Sequence, residues 1–453
     1  MPDNSRHQRT EDAARLRPGT RLVVHIEQLV FRGDGLGRLP DGRVIFVPLT
    51  VPGDDVEIQV EESRADFARG RVVRIVSPAP DRIEAACPYS GTCGGCQWQQ
   101  VQLPAQHGWK RRILQELLIR VGKLADVPIS ELIAPVAPWE YRARAQFKII
   151  GGARPCIGYH QRETNRVVDI ARCPLVDPRL NAVLDTLRRM KQPSLFTLFD
   201  RLREMWVSVG TGTGDVLVSL FARVRDRAAL RLVWHRLKEV LPTVVGVVLL
   251  EGDPREDPRV SDHVGKSEIY EQVEDARFRL GPTAFFQVNG VAAGAVTGLL
   301  RDEAQLSGRE CVLELYAGVG TFTVPLSRRA KQIVGVEGHR GAAADGEANL
   351  QANGCENARI IPGQVEQVVP GLATEGSWDV VVMDPPRTGC SRRLLEEVRD
   401  LTFRRLLYVS CDPSTLARDL GILVRSGLRL VRVQPIDLFP QTFHLESLAV
   451  LER

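Results

Sequence analysis

Two groups of residues in this 453-residue chain are spaced for chemistry. The first is a set of thiols. CPYSGTCGGCQWQQ, residues 87–100, brings Cys87, Cys93 and Cys96 close together among glycines and a proline. Such thiols serve as disulfide partners, metal ligands, redox nucleophiles or small buried residues. Nine cysteines in this length are far too few for a secreted disulfide framework. In a reducing compartment, clustered cysteines are more often metal-binding or catalytic. The second group begins at ELYAGVGTFT, residues 314–323, which follows a strand pattern and precedes a helix. Gly318 and Gly320 let the backbone turn tightly and approach a ligand. Glu337 ends the next strand pattern, where an acidic residue can grip ribose hydroxyls. A dinucleotide site would need a third glycine, but Phe322, Thr323 and Val324 stand there. S-adenosylmethionine, a nucleoside without phosphates, suits the loop better; a plain glycine turn with a surface glutamate is the bland alternative.

Asp384, in Asp384-Pro385-Pro386-Arg387, closes a later strand pattern, and ligands of open α/β sheets bind at the carboxyl ends of strands. The strand after it ends in Ser410-Cys411-Asp412-Pro413. Cys411 therefore stands on the rim of the same crevice, ahead of a helix-start signal. A helix N-terminus lowers a thiol's pKa and favours thiolate, although a cysteine there can also be a small buried residue. Glu446, with His444 two residues before it, reads on its own as an ordinary surface glutamate.

The elements that must hold these residues are multidomain α/β. Residues 1–18 are polar and read as a disordered tail. Over 19–77, short alternating stretches separated by GDG, PDG and PGDD predict a small OB-like β-barrel. Its last strands carry Arg64, Arg69, Arg71 and Arg74, either an RNA-binding face or a solvated one. A central α+β domain is expected over 78–275, with a helical segment at about 98–130 packing on the catalytic domain. From 276 to 453, strands alternating with helices predict an open, mostly parallel sheet of the Rossmann-like kind. No apolar run approaches the ~20 residues that span a bilayer, and the N-terminus has no signal-peptide pattern, so a cytoplasmic protein is expected. A net charge of +4 permits a nucleic-acid partner without requiring one.

In their order along the chain, these stretches resemble the SAM-dependent RNA 5-methyluridine methyltransferases, and in particular the branch with an N-terminal TRAM barrel that acts on 23S ribosomal RNA. The resemblance is carried by the barrel, CPYSGTCGGCQWQ, YRARAQFK, VVDIARCPLVDP, FFQVN, ELYAGVGTF, DPPR, YVSCDP and FP-x-T-x-H-x-E. It implies that Cys411 is the nucleophile and Glu446 the base that removes the C5 proton. It also implies that Gln287, Tyr316, Thr321, Glu337, Gln364 and Asp384 contact SAM or the target base, and that Phe285 flanks the flipped uracil. Cys87, Cys93, Cys96 and the distant Cys173 would hold a [4Fe-4S] cluster. The proline after Cys173 matches the end of a ferredoxin-type cysteine run; zinc on four cysteines is the alternative.

The chain departs from the family at Ala317, Asp412, Gln441 and Phe443. Asp412 places a carboxylate beside Cys411, which predicts a raised thiol pKa, and Phe443 is expected to reshape the pocket near Glu446. RNA is the expected partner, ribosomal RNA ahead of transfer RNA, with a monomeric protein and no membrane. A tRNA methyltransferase, a 5-methylcytidine enzyme and a catalytically weak RNA-binding iron–sulfur protein are the rival readings.

Overall fold

The computed structural model describes residues 16–152, 156–190, 199–222, 227–254 and 258–453. Residues 1–15 of the expected tail lie outside that set; Leu16 packs against the core of the barrel. The chain divides into two units, one reaching to Ile113 and including Phe439–His444, the other holding Leu114–Leu438 and Leu445–Arg453.

The first unit is built on a closed five-stranded barrel in the order β1-β2-β3-β5-β4. Its strands are β1 (Arg21–Leu29), β2 (Gly35–Arg38), β3 (Val44–Val47), β4 (Asp55–Ser63) and β5 (Phe67–Ser77). Alternation drives it: Val56, Ile58 and Val60 point inward from β4 to join Val24, Ile26, Ile45 and Val47. The four barrel arginines are not a free cationic face. Arg64 pairs with Glu62 and Arg74 with Glu57, each at 2.6 Å, Arg71 lies 3.5 Å from Glu61, and Arg69 lies 3.7 Å from both Asp34 and Glu62. The face is a ladder of exposed ion pairs, each worth about 0–1 kcal/mol.

Beyond the barrel, the QWQQ stretch ties the unit together. Trp98 is fully buried and donates from Nε1 to the Gly33 carbonyl at 3.1 Å. On helix α1 (Leu103–Leu117), Gln106 donates from Nε2 to Gln441 Oε1 at 3.0 Å, and its Oε1 accepts from Gln441 N at 2.9 Å. Gln441 is thus part of the unit's internal bracing. Phe443 packs edge-on against Phe31, with ring centroids 5.7 Å apart.

The second unit holds two seven-stranded sheets. The first runs β12-β11-β10-β9-β6-β7-β8, formed from β6 (Arg144–Ile150), β7 (Cys156–His160), β8 (Val167–Asp169), β9 (Leu202–Val209), β10 (Val216–Ala222), β11 (Val244–Glu251) and β12 (Arg259–Gly265). The hairpin β13 (Ile269–Val273) and β14 (Ala276–Leu280) follows. The expected domain boundary at 275–276 falls in this hairpin's turn. Apolar side chains of the first sheet, the hairpin and the second sheet share one cluster, from Trp206 and Phe221 through Phe278 to Val319 and Ile360.

The second sheet has the order β17-β16-β15-β18-β19-β21-β20. Its strands are β15 (Cys311–Leu315), β16 (Gln332–Glu337), β17 (Ala358–Pro362), β18 (Val380–Met383), β19 (Arg405–Ser410), β20 (Arg429–Ile436) and β21 (Glu446–Glu452). The first five in the order are parallel, and β21 runs antiparallel between β19 and β20. β18 and β19 are buried at every position, as a parallel strand covered on both faces requires. The chain winds outward from β15 to β17 and then returns to β18 on β15's other side. That reversal opens a crevice at the carboxyl ends of β15 and β18. Leu114 and Leu118 belong to this sheet's core cluster.

Candidate active site

The turn after β15 is wound tightly. Tyr316, Gly318 and Gly320 have φ of 67°, 58° and 82°. Gly318 and Gly320 take this left-handed conformation freely, whereas Tyr316 holds it at a cost. Glu337, at the end of β16, fixes the turn: its carboxylate accepts from Gly318 N at 2.8 Å and from His339 N at 2.6 Å. The Tyr316 hydroxyl donates to Glu366 Oε1 at 3.4 Å, and Thr321 is half-buried in the same turn. Gln364 stands exposed after β17, and a cavity of about 690 Å³ beside it is lined by Gly338, Arg340, Glu347, Pro362 and Gln367. These cavity residues carry no motif that a sequence reading could find. Glu337, Gly318 and Gln364 are therefore brought to one side of the crevice.

Asp384 follows β18 directly, and Cys411 follows β19. Sheet register brings in the third group. Ser410 pairs with Ser447 across β19 and β21, so Cys411 and Glu446 come together at the same end of two antiparallel strands. Glu446 is 2% exposed, and its Oε1 has no hydrogen-bond partner. Burial, followed by the neighbouring Asp384 carboxyl, pushes the Glu446 carboxyl well above the usual range; the Arg387 guanidinium opposes this. Asp384 is pushed up to about 7 by burial. Beneath them Glu314, fully within β15, is raised to about 8 by burial, against a 2.7 Å bond from Thr323 Oγ1.

Cys411 departs from the lowered thiol pKa that its helix-start position suggests, and the shift runs in the raised direction, though with another cause than Asp412. Its thiol is pushed up to about 12, first by burial, then by Glu446, with Arg387 pulling the other way and Asp384 adding to the rise. Desolvation outweighs the helix N-terminus, so the resting group is a thiol and not a thiolate. The expected influence of Asp412 is also redirected. Its carboxylate caps helix α2 (Pro413–Arg425), accepting from Ser414 N and Thr415 N at 3.0 Å each. The carboxyls that act on the thiol are Glu446 and Asp384. Arg387, quoted in the DPPR motif with no role attached, is the one cation among these influences.

Phe285 and Gln287 lie on the loop between β14 and the next helix. Phe285 is 70% exposed, an uncommon state for a large aromatic, whereas Gln287 is 9% exposed. The cysteine segment belongs to the first unit. Cys87, Cys93 and Cys96 are half-buried on a run of turns closed by bonds from Ser90 N to Cys87 O and from Cys93 N to Tyr89 O. Cys173 lies in the second unit, where Asn181 accepts from its N–H and donates to its carbonyl, each at 2.9 Å. Among the described residues, no group of three or more His, Cys, Asp or Glu is gathered to hold a metal ion. Four cysteine sulfurs are the right donors for a cluster, but the fit ends at donor chemistry. No helix among the described residues is long and apolar enough to cross a membrane.

Comparison with known proteins defines the class. Residues 137–453 match the model of the tRNA (uracil-5-)-methyltransferase family, and residues 15–73 match the TRAM domain. The chain belongs to this family of RNA uracil-C5 methyltransferases. It is 37% identical to an RNA methyltransferase of Gloeobacter violaceus, over 96% of this chain and 97% of the relative. It is 32% identical to one of Halalkalibacterium halodurans, over 95% and 96%. The crystal structure of the Pyrococcus abyssi tRNA (uracil-54, C5)-methyltransferase with S-adenosyl-L-homocysteine has the same fold. It superposes with a TM-score of 0.74 at 24% identity, covering 94% of this chain and 99% of that one.

Proposed function

We propose that this protein methylates C5 of a uridine in 23S ribosomal RNA, with Cys411 as covalent catalyst, in the cytoplasm and as a monomer. The observation that carries the reading is the convergence of Cys411, Glu446, Asp384 and Arg387 at one end of the catalytic sheet. Uracil C5 is a weak nucleophile. Attack of the Cys411 sulfur on C6 forms a C–S bond and leaves an enolate whose electron pair is available at C5. S-adenosylmethionine supplies the methyl group. Glu446 then takes the C5 proton, and elimination across C5–C6 releases the Cys411 sulfur. Tyr316, Gly318, Thr321, Glu337, Gln364, Gln287 and Asp384 are assigned to SAM and the target base. Because C5 and C6 are out of reach in a stack, the base must flip out, and exposed Phe285 offers a ring to stack on it.

The TRAM barrel favours ribosomal RNA. A transfer-RNA substrate is the second reading, favoured by the description of the matching family. Methyl transfer from labelled SAM to 23S rRNA and tRNA transcripts decides between them: label on 23S rRNA alone supports the first, and label on tRNA alone overturns it.

Proton positions set the pH dependence. With Cys411 at about 12 and Glu446 raised, burial favours the protonated form of both groups. Asp384, at about 7, is the neighbour able to take the thiol proton near neutrality, and Arg387 stabilises the resulting thiolate. The reactive forms are the deprotonated ones, and raised pKa values place them at higher pH. The single-turnover rate should therefore climb between roughly pH 6 and 9. A flat profile would mean that the thiolate is already formed at neutral pH.

We also assign Cys87, Cys93, Cys96 and Cys173 to a [4Fe-4S] cluster, on the C-x5-C-x2-C spacing and the proline after Cys173. No step of the reaction runs through it. Anaerobically purified protein should carry iron and labile sulfide at about four each per chain, and serine at Cys156, Cys311, Cys355 or Cys390 should leave both in place. Stoichiometric zinc without sulfide would replace the cluster with a four-thiolate zinc site.

A further inference from the structure

The stretch YRARAQFK, residues 141–148, is left unused by the chemistry above, yet it grips the loop that carries Phe285 at several points. Asn289 Nδ2 donates to the Tyr141 carbonyl at 2.7 Å, and Ala143 N donates to the Val288 carbonyl at 2.8 Å. The guanidinium of Arg144 reaches the other end. One of its terminal nitrogens donates to the Pro282 carbonyl at 2.8 Å, and the other donates to the Ala284 carbonyl. The same guanidinium lies 4.9 Å from the centroid of the Trp206 ring, which holds it from below. Around Phe285 the chain is anchored inward: Ala284 is 4% and Gln287 9% exposed, and Phe286 packs on Phe278 at 5.9 Å. Phe285 is the one ring of the loop sent outward.

We propose that Arg144 is a positioning residue for the target base: by holding the Pro282 and Ala284 carbonyls together it fixes the backbone just before Phe285 and presents that ring for stacking. The inference rests on the reading of Phe285 as the ring that meets the flipped uracil. A planar fork satisfies two carbonyls in fixed relative positions, which a single ammonium cannot do with the same geometry. A loop free to shift by about 1 Å would lose much of the stacking geometry.

The test is a double-substitution cycle on the full-length protein, with a uridine-containing RNA substrate and SAM varied separately. Arg144→Lys should lower kcat/KM for RNA about tenfold, a typical cost of slight misplacement, with KM for SAM unchanged. Phe285→Ala should lower kcat/KM for RNA at least as much. The double variant should be no worse than Phe285→Ala, because Arg144 acts through that ring. Full additivity, or an Arg144→Lys enzyme equal to wild type, overturns the proposal while leaving the Phe285 reading intact. A Phe285→Ala enzyme equal to wild type overturns that reading and the proposal with it. If Arg144→Lys loses SAM binding as well, Asn289→Ser decides. It drops the bond to Tyr141 while a hydroxyl can still cap Ala292 N, whose 2.7 Å bond to Asn289 starts the next helix. It should show the same RNA-only loss, and an unchanged kcat/KM for RNA would overturn the proposal.

Discussion

Cys411→Ala should reduce methyl transfer by roughly 10⁴-fold or more, as removal of a covalent nucleophile does, while RNA and SAM still bind. The loss is chemical, because without the C6–sulfur bond there is no enolate and C5 stays unreactive. The structural cost should be small. Cys411 is half-buried, and alanine removes one sulfur from a site whose fold is set by β19 and by the Asp412 cap. A substrate with 5-fluorouridine at the target makes the difference visible. Fluorine cannot leave as a proton does, so the wild-type protein should be trapped as a covalent RNA complex that resists denaturing electrophoresis. Cys411→Ala should form none. A substituted protein that still gives the complex would move the nucleophile elsewhere.

Much of this site was readable before any coordinates because it lies at strand ends. Asp384 and Cys411 each follow an apolar run, and the carboxyl-end rule places such residues in the crevice. Gly318 and Glu337 were readable for the same reason. Glu446 was not. It starts the last strand of the chain, and only the insertion of β21 between β19 and β20 sets it beside Cys411. Without the family resemblance it was a surface glutamate, whereas it is among the most buried carboxyls of the protein. Strand order in a sheet is a tertiary property, and no local pattern encodes it.

Electrostatics were the least readable part. The helix start after Cys411 argued for a lowered thiol pKa, and Asp412 for a raised one. Burial, which a linear sequence does not display, dominates instead, and Asp412 spends its oxygen on two backbone amides. The sequence left the barrel arginines open between an RNA-binding face and a solvated one; their ion pairs were hidden because acidic partners lie on neighbouring strands or loops, up to 35 positions away in the case of Arg69 and Asp34. The barrel itself was plain from alternation. The central sheet was seen only as mixed strands and helices, since β6 pairs with β9 across more than 50 residues.

Glu446→Gln should separate the two halves of the reaction that Cys411→Ala removes together. Burial and the Asp384 carboxyl push the Glu446 pKa up and so favour its neutral form, which an amide of the same shape and zero charge mimics. The fold and the first attack should therefore survive. Methyl transfer should follow, since neither step needs the carboxylate. The C5 proton then has no acceptor, elimination stalls, and turnover should fall by roughly 10³-fold, the scale of a lost general base. The expected product is a protein–RNA adduct that carries the labelled methyl from SAM and survives denaturing electrophoresis with ordinary uridine. Attack should also depend less on pH at the alkaline end. In the wild-type protein, ionising Glu446 places a negative charge against the thiol and holds it protonated; glutamine removes that opposition. A Glu446→Gln enzyme that turns over at the wild-type rate without accumulating adduct would exclude Glu446 as the base. Asp384, already near 7 and in the same buried group, would be the carboxyl to substitute next.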